Sequence, residues 1–324
     1  EEYIRAAVEG TFAQRYENLE IILSDDRSSD NTWEIMQEMA EAYSGNHRVV
    51  LNRNETNRGL VGHINQVMSM VRSDWVVVAA GDDISYPSRV QLTYDAIQKY
   101  PNARSLYFNA DYIRDDPSNL TVFVPDVSTH AIIPMIRNCG AKVFGPSHAW
   151  SMETFRVFGD ISEDAVSEDR VIPFRSALLG EIEFIDIKAV QYRLHNSSIS
   201  TTGMRSNDSK GYRRYRMRQA SLIGPTLASM LRDLEKAFKL SILSKSTFDQ
   251  YSKLLKQQQR LWEMYMSAWF GLFPIRQWAA FKMIFVGHCF TLSKGKLRQR
   301  LFVFIDSVFP FCEVIYHKTF RLRR

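Results

Sequence analysis

Adjacent carboxylates recur along this sequence, and four pairs sit where they could do chemistry. They are Asp25–Asp26 in SDDRSSDNT, Asp82–Asp83 in VVVAAGDDISYP, and Glu163–Asp164 and Glu168–Asp169 in ISEDAVSEDRV. Neighbouring like charges repel, so a fold accepts them only where they are solvated or neutralised. Asp82–Asp83 follows a buried-looking apolar run, where a hard divalent cation could neutralise it; Mg²⁺ typically takes one or two carboxylates plus phosphate oxygens. The structural alternative is a plain Gly-Asp turn. Asp25 ends another apolar run and could accept a hydrogen bond from a ligand N–H, while Ser28–Asp30 reads as a helix cap. Within ISEDAVSEDRV one pair could hold a general base for a hydroxyl group. Residue type alone does not say which pair. No Ser/His/Asp constellation for covalent catalysis stands out.

The elements that must position these groups alternate. A helical pattern opens the chain in EEYIRAAVEGTFAQ, with Ile4, Ala7, Val8 and Phe12 on one face. An apolar strand over Leu19–Leu23 follows, then a helix through Trp33, Met36 and Tyr43, a strand at Arg48–Leu51 and a helix over Leu60–Val71. A buried strand is expected over Trp75–Ala80, and Pro87 suits the first turn of a helix running to Tyr100. Short apolar strands between helices predict an α/β sheet, largely parallel and covered on both faces. Ligands sit beyond the carboxyl ends of such strands, where both Asp pairs fall.

The bulk composition sets wider limits. The 324 residues are 45% hydrophobic, enough for one large core or two units. Three separated cysteines, Cys139, Cys289 and Cys312, exclude a disulfide framework and a CxxC metal knuckle. The net charge of +5 hides an asymmetry: residues 1–203 carry 18 Lys and Arg against 29 Asp and Glu, and residues 204–324 carry 23 against 7. The polar run 197–211 between them reads as a linker, so two regions are expected, 1–203 and 204–324.

Taken together, NLEIILSDDRSSDNT, NETNRGLVGHIN, SDWVVVAAGDDISYP, EDRVIPFRSALLG and VQYRLHNSSIS resemble, in order and spacing, the family 2 nucleotide-sugar glycosyltransferases of GT-A fold. The resemblance covers residues 1–203. It implies a Rossmann-like, mostly parallel sheet with helices on both faces. It also implies an inverting transfer of sugar from a nucleotide-diphosphate donor, usually UDP-linked, to a hydroxyl acceptor. Carried over, Asp25, Asp26, Asn57, Gly59 and Asn65 belong to the nucleotide side, with Asp25 on the base. Asp82 with Asp83 would hold Mg²⁺ or Mn²⁺, although Ala80 replaces the first Asp of the family's D-x-D motif. Asp169 would be the general base supported by Glu168, since this pair and not Glu163–Asp164 has the family spacing to Tyr192. Tyr192, Arg193 and His195 would face the diphosphate. Ser147, His148 and Trp150 of GPSHAW would line the acceptor side, although by residue type His148 and Trp150 read first as packing residues. The family's opening strand would precede Glu1, so a trimmed sequence is expected. A catalytically silent nucleotide-sugar-binding protein of the same fold is the alternative.

Residues 204–324 read as a basic helical region. LWEMYMSAWFGLFPIRQWAAFKMIFVGHCF is aromatic-rich but broken by Pro274, Arg276 and Lys282, so no membrane-spanning helix is expected. The tail interleaves apolar clusters with Lys and Arg, as a helix lying on an anionic membrane would. The alternative is packing on the catalytic region or in a homodimer. No nucleic-acid-binding module is recognisable. The expected setting is glycan or glycolipid assembly at the cytoplasmic membrane face.

Overall fold

The computed structural model describes residues 1–114, 123–141, 143–165, 168–195 and 209–270. The polar run 197–211 falls largely outside these residues, and the tail beyond residue 270 entirely so. Helix α1 (Ile4–Phe12) leads to β1 (Glu20–Asp25), α2 (Thr32–Ala42), β2 (Arg48–Arg53) and α3 (Gly59–Met70). Then come β3 (Trp75–Val77), β4 (Ile84–Ser85), α4 (Arg89–Lys99) and the long β5 (Ala103–Arg114). After α5 (Ile132–Asn138), β6 (Ala149–Ser151) and α6 (Glu153–Phe158), helix α7 (Glu168–Leu179) feeds β7 (Glu181–Leu194). Two long helices follow, α8 (Ser209–Lys239) and α9 (Lys245–Phe270).

Strands β1 and β2 pair in parallel as one sheet, and a second sheet has the order β3-β6-β5-β7-β4. The two parallel ladders, β1–β2 and β5–β7, are the longest; the pairings of β3, β4 and β6 are short and antiparallel. The expected buried strand over Trp75–Ala80 is shorter, ending at Val77, and only half-buried, because β6 alone pairs with it among the described residues. In β5, Tyr107 faces a core built with α5, α7 and α8, and Leu106 faces one built with α4. Successive strand residues point to opposite faces, so helices cover both sides as the sequence predicts.

Leu227, Met230, Leu234 and Leu255 of α8 and α9 share one core with Tyr107, Phe144, Phe174 and Val190. Burying such side chains contributes roughly 1.5–3 kcal/mol each. Among the described residues no helix is long and apolar enough to cross a membrane.

Close approach at the other end fixes the first helix. A Cβ on Gly10 would lie 3.0–3.1 Å from Ile84 and the Ser85 backbone, so the missing side chain lets α1 rest on β4 beside the second Asp pair.

Candidate active site

Alternation in β1 decides the roles within the first pair. Ile21, Leu23 and Asp25 share the buried phase, so Asp25 points inward and is 3% exposed. Its two oxygens accept from the Ser28 N–H at 3.2 and 3.1 Å, and Arg53 Nε lies 3.2 Å from Oδ2. Asp26 turns to the loop after β2: Oδ1 accepts from Asn54 Nδ2 at 2.7 Å and from the Arg58 N–H at 2.9 Å. Asn57 Nδ2 donates to the Asp26 carbonyl at 2.9 Å, and its Oδ1 accepts from the Gly59 N–H at 3.1 Å. Gly59 has φ +69°, a left-handed conformation that favours glycine. Asp25, Asp26, Asn57 and Gly59 are thus assembled at the carboxyl ends of β1 and β2. Asn65 is committed elsewhere: its amide accepts from Ile161 N at 2.9 Å and donates to Ile161 O at 2.7 Å, clamping the loop before α7. These two hydrogen bonds hold the side chain against the Ile161 backbone.

The second pair also divides. Asp83 is 5% exposed and accepts from the Arg193 N–H at 2.8 Å through Oδ1. Its Oδ2 is buried without a partner. Loss of solvation, aided by the charge of Asp82, pushes the Asp83 carboxyl up to about 7. Asp82 is the outward member: Oδ2 accepts from His195 Nε2 at 3.0 Å, and its carbonyl accepts from Arg193 Nε at 3.0 Å. The ring of Tyr3 lies 4.7 Å under the Arg193 guanidinium and 4.8 Å from the His195 ring. Tyr192 points the other way. It packs edge-on against Tyr112 and Phe144, at 5.8 and 5.2 Å, in the aromatic core rather than beside Asp82.

The last two pairs separate cleanly. Glu163 is exposed, 3.6 Å from Arg58, whereas Glu168 and Asp169 open α7. Burial and the neighbouring charge of Asp169 raise the Glu168 carboxyl well above the usual carboxylate range. Gly145 faces the pair, since a Cβ there would stand 3.9 Å from Asp169 Oδ2. One buried guanidinium joins this corner to the second Asp pair. Arg89 donates to Ser85 Oγ (2.9 Å), to the Val78 carbonyl (2.6 Å) and to the Pro146 carbonyl (3.1 Å). It therefore stitches the end of β3, strand β4 and the turn at Gly145–Ser147 together. Nothing in the sequence marked it, because a single Arg at a helix start looks like a solvated charge.

Residues 1–121 match the model of "Glycosyl transferase family 2". The match is confined to this region, which is similar to glycosyl transferase family 2. EpsE of Bacillus subtilis (strain 168) is 33% identical over 100 residues, covering 31% of this chain and 35% of EpsE. The Escherichia coli protein WfaP, a UDP-Glc:alpha-D-GlcNAc-diphosphoundecaprenol beta-1,3-glucosyltransferase, is 30% identical over 80 residues, covering 25% of this chain and 30% of WfaP. The chain spans 35% of EpsE and 57% of the Mycobacterium tuberculosis protein Rv1520. The fold is that of the GT-A glycosyltransferases. S. aureus TarS 1-349, solved in complex with UDP-GlcNAc, superposes with a TM-score of 0.58 at 14% identity, over 98% of this chain and 88% of that one.

The residues expected on the acceptor side are buried. Ser147 Oγ donates to the Phe108 carbonyl at 2.7 Å and accepts from the Phe108 N–H at 2.9 Å. His148 is hydrogen-bonded to Ser105 Oγ at 2.9 Å, and Trp150 is 1% exposed in a core with Val61, Met68 and Ile172. Of GPSHAW, Gly145 alone is placed against Asp169; the side chains of Ser147, His148 and Trp150 support the strand behind it. Burial drives His148 down to about 3, so it stays neutral in the fold where a solvated imidazole would charge. The depressed value makes its contribution fully present above about 6.5 and lost as pH falls toward 3. The lost stability approaches about 1.4 kcal/mol per pH unit across that window. The stability of the intact protein minus that of His148→Gln, from urea unfolding at several pH values from 4 to 7, should fall with this slope as pH drops, because the raised Asp83 and Glu168 carboxyls act in both chains.

Proposed function

We propose that the chain transfers a sugar from a nucleotide-diphosphate donor, a UDP-sugar, to a hydroxyl acceptor with inversion. The observation that carries this reading is the contact of Asp82 with His195. It joins two segments 113 residues apart at the strand ends where a diphosphate would lie. The UDP-sugar chemistry of WfaP and the UDP-GlcNAc complex of TarS support the choice of donor.

In this reading the inward Asp25, with Asp26 and Asn57 framing the turn, meets the base. Arg193 and His195 lie along the diphosphate. Asp169 takes the proton of the acceptor hydroxyl, and Glu168 shapes the charge around it. A single carboxylate opposite the leaving group gives one displacement and therefore inversion.

Among the described residues no three His, Cys, Asp or Glu side chains converge on a metal site. Asp82 Oδ2 and, in the tautomer that leaves Nε2 unprotonated, His195 Nε2 nonetheless offer an oxygen and an imidazole nitrogen side by side, a donor set suited to Mg²⁺ or Mn²⁺ once diphosphate oxygens complete the shell. The bound ion would supply charge stabilisation to the departing diphosphate. Asp83, tied to the Arg193 backbone, holds that corner from beneath.

The acceptor belongs to glycan or glycolipid synthesis, with the basic C-terminal region resting on the cytoplasmic face of the membrane. Calorimetric titration with UDP and Mn²⁺ tests the donor site. Asp82→Asn should weaken metal-dependent UDP binding at least about tenfold. If the intact chain binds neither UDP nor another nucleoside diphosphate in the presence of Mn²⁺, the reading fails.

A further inference from the structure

The turn between α8 and α9 has a surface that the transfer reaction does not use. Phe238, Leu240 and Ile242 are exposed there, Leu240 by 52%, within five residues of chain. Isolated exposed apolar side chains are ordinary, but a cluster marks a contact surface. Phe248, in the first turn of α9, stacks on Phe238 with ring centroids 4.5 Å apart. Beyond Phe248 a groove of about 350 Å³ runs along α9, lined by Lys253, Lys256 and Arg260 with one carboxylate, Asp249. Their spacing places these cations in one stripe along the helix. Lys239 and Lys245 flank the turn itself. None of these five cations makes an ion pair among the described residues.

We propose that this helical hairpin tip docks on an anionic phospholipid surface, with Phe238, Leu240 and Ile242 entering the interface and the α9 cations on lipid phosphates. The proposal deepens the membrane contact in the function above and rests on that part of it alone. Two features select lipid over a protein groove. The apolar side chains come from the last turn of α8 and the turn after it rather than from a flat helix face, and they are bordered by cations that a phosphate layer would neutralise. The hairpin is also anchored rigidly: α8 and α9 are packed into the catalytic core through Leu227, Met230, Leu234 and Leu255. A contact at the tip therefore sets the orientation of the whole catalytic region against the surface.

The test uses the full chain with Cys289 and Cys312 replaced by Ser and an environment-sensitive fluorophore on Ser241→Cys. A second, control label sits at Glu41→Cys. Vesicles containing phosphatidylglycerol should blue-shift the label at 241 and leave the one at 41 unchanged; vesicles of phosphatidylcholine alone should do neither. Lys253→Ser with Lys256→Ser should lower the vesicle partition coefficient by about tenfold or more. UDP titration of both labelled chains should remain as in the unlabelled chain, which keeps this test independent of the donor site. If the chain floats with anionic vesicles while the label at 241 stays silent, the tip is not the contact, although a membrane contact elsewhere stands. If it does not float, the tip and the membrane setting both fall. Capture of a single-stranded oligonucleotide that the double Ser variant abolishes, with no response to vesicles, would overturn the proposal in favour of nucleic acid.

Discussion

Asp169→Asn should lower kcat by about 10²- to 10⁴-fold while leaving UDP affinity within a factor of a few. Asn has nearly the shape of Asp but cannot take a proton, so the environment beside Gly145 is preserved while the base is lost. The position makes the experiment specific. Asp169 opens α7, and Asp82 and His195 belong to a different corner joined to it through Arg89 and the Gly145–Ser147 turn. A loss confined to kcat would therefore separate base from donor site. Glu163→Gln supplies the internal control, because that carboxylate is exposed and paired only loosely with Arg58 at 3.6 Å. It should leave the rate unchanged. If Asp169→Asn retained kcat within about threefold, the carboxylate could not be the base.

Asp233→Ala should destabilise the protein by about 3–5 kcal/mol, the largest expected effect on stability. Arg175 is buried in α7, and Asp233 in α8 receives its Nε and Nη2 at 2.8 and 3.1 Å. The same guanidinium donates to the Gly159 and Asp160 carbonyls at 2.6 and 3.1 Å and lies over the rings of Phe155 and Phe158. Removing the carboxylate strands a cation in the core, and the penalty is chiefly that uncompensated charge. Urea denaturation measures it directly. Replacing both partners together, Arg175→Met with Asp233→Leu, should be much milder, because no charge is then left unpaired. A loss below about 1 kcal/mol for Asp233→Ala would show that water reaches Arg175. Because Arg175 also grips the loop whose Ile161 backbone Asn65 clamps, the single variant should loosen the approach to Glu168 and Asp169 as well.

Much of this architecture is legible along the chain. Apolar periods of two and 3.6 residues are local properties, so α1, β1, α2, β2, α3 and α4 lie near their expected places; β3 is shorter than expected, and the two-residue β4 has no counterpart in the sequence reading. The positions of the acidic pairs at strand ends and at the start of α7 follow from the same patterns. Spacing to Tyr192 singled out Glu168–Asp169, and the structure finds the other pair, Glu163–Asp164, exposed.

Alternation along β1 carries Asp25 inward with Ile21 and Leu23, but only the tertiary structure decided that Asp83 rather than Asp82 turns inward. The β5–β7 ladder shows how alternation can fail. Between Ile185 and Val190 β7 spans five residues while β5 spans two, from Phe108 to Ala110, an excess of three. An odd excess breaks the alternation on one of the two strands, and it is β5 that changes phase: its core-facing side chains pass from Tyr107 to Ala110, whereas Ile182, Phe184, Val190 and Tyr192 of β7 keep one face. The clamp of Asn65 on Ile161 joins residues 96 apart, and Arg175 meets Asp233 over 58. Ser147, His148 and Trp150 carry side chains that would suit a sugar, yet the ladder of β6 with β3 and β5 closes over that segment. The residue types and their order were local information. Burial and partnership depend on contacts between distant segments, and no period in the sequence encodes those.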